Sequence, residues 1–101
     1  MTDTYVIGGL KATVLKDPDA VLDYTWDWSA YLTDISDGII SYEVIVEAPL
    51  VVVSHFQPTP EKITAFISGG EADNTYVATC RIVTDGGRTD DRTIYLKIVE
   101  R

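Results

Sequence analysis

The chain has 101 residues, 46% hydrophobic and 24% charged, which is the balance of one folded domain and excludes a disordered segment. Sixteen acidic against eight basic residues give a net charge of -8, so the chain as a whole repels nucleic-acid phosphates and anionic membranes. The single cysteine, Cys80, excludes an internal disulfide, and with neither a signal-like start nor an apolar run near the ~20 residues of a membrane span, the expected setting is a reducing cytoplasm.

Short alternating runs punctuated by Gly, Pro, Asp and Asn predict strands, and helical spacing is hard to find. Tyr5, Val6 and Ile7 stand before Gly8-Gly9, and residues 1–15 read as an N-terminal extension or arm carrying the first strand, at about 10–16. The arm has two readings. It adds a strand to a neighbouring subunit, which makes Tyr5, Val6 and Ile7 candidate interface residues, or it is a strand of its own sandwich.

A second strand is predicted over 21–31, with Leu22, Tyr24, Trp26 and Trp28 on one face and Asp23, Thr25 and Asp27 on a wet outer face. Three rings on one face bury ~150 to 250 Å² each, enough to hold a small sandwich together. The alternative places Trp26 or Trp28 at a strand end as a platform for a sugar or a partner.

The third strand follows Ser36-Asp37-Gly38 and alternates from Ile40 to Glu47, with Ile45 interrupting its polar side. The fourth, residues 50–56, is an unbroken apolar run that suits a central or a bent strand. "QPTPE" should end it, because prolines cannot donate to a ladder. A fifth strand spans 62–68 and closes at Gly69-Gly70. The last two, on either side of Asp85-Gly86-Gly87, read as a β-hairpin. Seven short antiparallel strands predict an all-β fold, an immunoglobulin-like or fibronectin-like β-sandwich occupying 16–101 as a single domain. Tyr76, with Asp73 just upstream, resembles a tyrosine corner, in which the hydroxyl bonds an upstream backbone group.

Chemistry-bearing residues are present without the patterns that chemistry needs. Asp17, Asp19, Asp34 and Asp37 are loop acids with no calcium-loop spacing, and one cysteine with one histidine makes no zinc site. Asp85, Asp90 and Asp91 lack the Asp-Thr-Gly or Asp-Ser-Gly of an aspartic protease. His55 and Cys80 fall on different strands and carry no dyad signature. The glycine pairs lack the lysine and following helix of a phosphate loop. The reading is of a chain that is not an enzyme, with no catalytic, cofactor or metal residues.

Two blocks carry a family resemblance. "KDPDAVLDYTWDWSAYL" has a Lys, a Pro and acidic residues, then Asp-Tyr and Asp-Trp-Ser. "AFISGGEADNTYVATCRIVTDGGRTDDRTIYLKIVER" has Ser-Gly-Gly, Thr-Tyr, Thr-x-Arg-Ile, Gly-Arg-Thr-Asp and Val-Glu-Arg in order. Both are similar to a family of small tailed-bacteriophage structural proteins, the fiber-tail adaptors. The resemblance implies a virion component at the tail, fiber, neck or baseplate, assembled in the host cytoplasm and acting through contacts with other virion proteins and copies of itself. It supplies no catalytic residues, and the net charge and short apolar runs already count against nucleic acid and membrane as partners. A capsid-decorating or carbohydrate-contacting module of the same fold is the alternative.

Overall fold

A computed structural model describes residues 5–7 and 12–100 of the chain. Eight strands and one short helix follow in the order β1 (Tyr5–Ile7), β2 (Ala12–Lys16), β3 (Leu22–Asp27), α1 (Ser29–Ile35), β4 (Ile39–Val46), β5 (Val51–Thr59), β6 (Lys62–Ser68), β7 (Thr75–Thr84) and β8 (Thr89–Ile98). They form two four-stranded sheets, β1-β3-β6-β5 and β2-β8-β7-β4. One core lies between them: Tyr24, Trp26, Ile63, Ala65 and Ile67 come from the first sheet, and Ala78, Cys80, Ile82, Ile94, Leu96 and Ile98 from the second. The alternation read from the sequence sets this up, since residues two apart share a face.

The all-β reading holds, whereas seven antiparallel strands do not. Eight strands are described, and β1 with β3 and β2 with β8 run parallel. A parallel pair needs a crossover, and between β1 and β3 that crossover is β2, laid into the opposite sheet. The start of the chain therefore contributes an edge strand to each sheet. The rest of the anticipated arm, residues 1–4 and 8–9, lies outside the described residues, as do residues 10 and 11 of the expected first strand.

The second predicted strand is half strand and half helix. β3 ends at Asp27, whose Oδ1 accepts hydrogen bonds from the Ser29 backbone N–H at 2.9 Å and the Ser29 hydroxyl at 2.6 Å, turning the chain. The Leu32 N–H then donates to the Trp28 carbonyl at 2.9 Å. Ser36 closes α1 in the left-handed conformation, with the Asp37 N–H donating to the Leu32 carbonyl. Trp28 and Leu32 are four apart and both buried, so the period-two reading of Trp28 hid a helical one.

The outer face of β3 also departs from expectation. Asp23 and Thr25 are each only 6% exposed, and Thr25 Oγ1 shares a buried 2.8 Å hydrogen bond with Thr64 Oγ1 of β6. β5 is a third departure, because it continues through Pro58 to Thr59. It does so as an edge strand with register shifts after Val52 and after Phe56, where a missing N–H costs no ladder bond. Of the two placements that the apolar run allowed, β5 takes the bent one.

Candidate interaction surface

The residues singled out in the sequence divide into those that hold the fold and those left on its surface. Trp26 and Trp28 are fully buried, so neither offers a platform. Trp28 packs edge-on against Tyr31, ring centroids 5.8 Å apart, and the Arg92 guanidinium lies 4.2 Å from the Trp28 ring centre. Arg92 Nη1 also donates to the Asp27 carbonyl at 3.0 Å, so β8 pins the junction of β3 and α1. Burial raises the Asp27 carboxyl, but the Ser29 hydroxyl and amide, with Lys62 and Arg92 nearby, outweigh it and hold the group below its ordinary value.

The acids have similar employment. The Asp37 side chain is almost fully buried and accepts from the Gly38 and Gly86 N–H groups, each at 2.9 Å, and from Arg88 Nη1 at 2.8 Å. The Thr84 hydroxyl, these amides and the guanidinium hold its carboxyl far below the usual carboxylate range. A Cβ at Gly86 would stand 2.7 Å from Asp37 Oδ2, so the turn needs a glycine there to close on the acid. Asp17 Oδ1 accepts from the Asp19 N–H at 2.8 Å, and Asp91 makes a two-point ion pair with Arg81 at 2.8 and 3.0 Å.

Lys16, unremarkable in the sequence, is fully buried. Its Nζ donates to the Gly69 carbonyl at 2.7 Å and the Asp17 carbonyl at 2.9 Å, tying the end of β2 to the turn between β6 and β7. Burial lowers its affinity for the proton, and Asp17 and Asp19 oppose that. Gly69 takes φ 90°, and a Cβ there would meet the Pro49 carbonyl oxygen at 2.7 Å. The Tyr76 hydroxyl receives the Glu71 N–H at 3.3 Å, five residues upstream, the bond expected of a tyrosine corner.

His55 and Cys80 are not a pair. Cys80 lies in the core, where burial pushes its thiol up to about 12 with only partial opposition from the adjacent Trp28 indole. The indole Nε1 itself has no partner of hydrogen-bond geometry among the described residues. His55 stands on β5, its Nδ1 2.8 Å from the Tyr42 hydroxyl of β4. Among the described residues, no three His, Cys, Asp or Glu side chains gather as a metal site would require.

Seven large apolar side chains are exposed among the described residues, and five of them lie along one margin. β4 and β5 are neighbouring edges of the two sheets, bridged by Tyr42 and His55, whose rings meet edge-on with centroids 5.4 Å apart. On them Ile40, Ile45, Val51, Val53 and Phe56 are exposed, Ile40 by 64%, Val53 by 57% and Phe56 by 47%. Edge strands of this kind are usually guarded by charge. Yet residues 50–60, LVVVSHFQPTP, contain no Asp, Glu, Lys or Arg. That missing charge was the signal available in the sequence. An unbroken apolar run reads equally as a central strand, which masks it. The candidates Tyr5, Val6 and Ile7 form β1, in parallel register with Tyr24, Thr25 and Trp26.

A two-sheet module in which Asp27, Asp37, Asp91, Lys16, Arg81, Arg88 and Arg92 bind its own segments together, and which exposes an uncharged strand edge, belongs to the class of structural interaction proteins. Comparison with known families narrows this. The family described as podophage GP4 fiber-tail adaptor protein gp77 matches residues 16–97, and the chain belongs to it. It is thus a structural tail adaptor of a phage virion. No curated protein matches the chain. The matched span covers both blocks that carried the resemblance except the last four residues, and it begins at Lys16.

Proposed function

We propose that the chain is a non-enzymatic adaptor that joins tail and fiber parts, or neighbouring neck or baseplate proteins, by lending them its β4–β5 margin. The observation that carries this is the uncharged, exposed edge of β5 in a chain of net charge -8. An unpaired strand offers backbone donors and acceptors, and Val51, Val53 and Phe56 add apolar area beside them. Tyr5, Val6 and Ile7 provide a second contact near the opposite margin, and copies of the chain are among its partners. Residues 16–101, completed at the two sheet edges by β1 and the start of β2, act as one immunoglobulin-like or fibronectin-like unit, a plan that the corner bond of Tyr76 supports.

Nucleic acid and membranes are not partners in this reading. The net charge opposes phosphate, and among the described residues no helix is long and apolar enough to cross a bilayer. Assembly in the host cytoplasm suits a chain whose one cysteine is buried and whose stability comes from packing. The test is genetic. Particles made without this chain should fill their heads yet lack attached fibers, and wild-type protein supplied in trans should restore them. A normal fiber complement without the chain overturns the proposal.

A further inference from the structure

The β5 edge has a length, a charge and a shape, and together they select an occupant. We infer that β5 pairs with β5 of a second copy, antiparallel across a two-fold axis, joining two four-stranded sheets into one of eight strands. The inference rests on the adaptor reading of this margin and names one partner for it.

Charge favours a copy over a partner recruited by opposite charge. Two molecules of net charge -8 repel wherever acids meet, and between Glu47 and Glu61 the chain carries no charged residue, with His55 bonded to Tyr42 of its own β4. A partner recruited by electrostatic complementarity would find nothing there to complement. The other edge of this margin fits a copy less well. β4 carries Glu43 opposite Arg81, so a β4–β4 pairing brings like charges together. Self-pairing of β5 matches its length by definition.

Local geometry limits the shared ladder to residues 51–56. Pro58 cannot donate beyond it, and the register shift after Val52 releases Val53 from a partner on β6. Six residues span roughly 20 Å, a small contact, so the free pair is weak and exchanges rapidly.

Sedimentation of the full chain over a wide concentration range tests this. Wild type should dimerise reversibly, and V53K or V51K should weaken the dimer about fivefold or more while melting like wild type, since both positions are exposed. Oxidation of V53C or S54C should give disulfide-linked homodimers, because near a two-fold axis a residue meets itself, and the buried Cys80 does not compete. T89C, on the other sheet, should not cross-link. A wild type that stays monomeric at millimolar concentration, or T89C cross-linking as well as S54C, overturns the self-pairing. If wild type is monomeric and V53K still abolishes fiber attachment, self-pairing fails and the adaptor margin stands. If V53K abolishes the dimer and fibers attach normally, the pairing stands and the margin's part in assembly fails.

Discussion

Around α1 and the turn between β7 and β8, polar groups are answered in kind: Asp37 by Arg88 and two amides, the Asp27 carbonyl by Arg92, and Ser29 by Asp27. Along β5, nine residues carry neither charge nor a strand partner on their outer side, and apolar side chains face water. The first region uses ionisable residues to fix the chain to itself. The second withholds them, although a bare edge is an aggregation hazard that proteins usually guard with charge. The hazard makes sense where a partner strand is to be received. The comparison also gives the family landmarks a structural role: Asp-Trp-Ser, Ser-Gly-Gly and Gly-Arg-Thr-Asp include places where separate segments are bound together.

The contrast breaks first at Trp28. W28A removes a fully buried ring and the surface on which Arg92 rests, and should destabilise the fold by about 3 to 5 kcal/mol in denaturant titration. A loss under 1 kcal/mol would show that α1 is not anchored as described. Next comes Lys16. K16M keeps the volume of the stem and removes both hydrogen bonds, leaving the Gly69 and Asp17 carbonyls unanswered, for a cost of about 1.5 to 3 kcal/mol.

Asp37 sharpens the contrast through pH. Its folded carboxyl lies well below the ordinary 3.8, so the folded state binds the proton more weakly than the unfolded one. The stability this supplies is complete above 3.8 and drains away as pH falls from there toward the folded value. D37N should therefore be less stable than wild type at neutral pH and should lose less on acidification. A slope must remain, because Arg81 hydrogen-bonds Asp91 and holds it low as well. Thermal melts at pH 7, 4 and 3 would measure both effects, and parallel curves for the two proteins would remove Asp37 from the account.

The sequence disclosed some of this well. β6 matches its predicted bounds of 62–68, and the hairpin of β7 and β8 follows from alternation on either side of Asp85-Gly86-Gly87, since one buried face enforces period two. The Tyr76 bond was legible because its partner is local. Asp37 and Arg88, 51 positions apart, were not, because no local pattern reveals which acid a distant arginine meets. Lys16 was hidden by its type, since a lysine is seldom fully buried unless something pairs it. Parallel pairing of β1 and β2 was missed because hydrophobic pattern fixes which face a strand buries and says nothing of strand direction. The edge at β5 was obscured by composition, which cannot separate a doubly covered strand from a bare one.

The smallest expected effect on stability lies on the open margin. Y42F removes the hydroxyl that meets His55 Nδ1 at 2.8 Å and keeps the edge-on ring contact. Both groups reach water, so each can replace the other by solvent, and the fold should change by less than ~0.5 kcal/mol. Its consequence should instead be positional, because this bond joins β4 to β5 across the two sheets and sets how the bare strand is presented. Amide exchange over 51–56 should quicken in Y42F while β6 keeps its protection. If exchange accelerates in both strands alike, the bond supports the whole first sheet, and the division between a fastened region and an open one does not hold at β5.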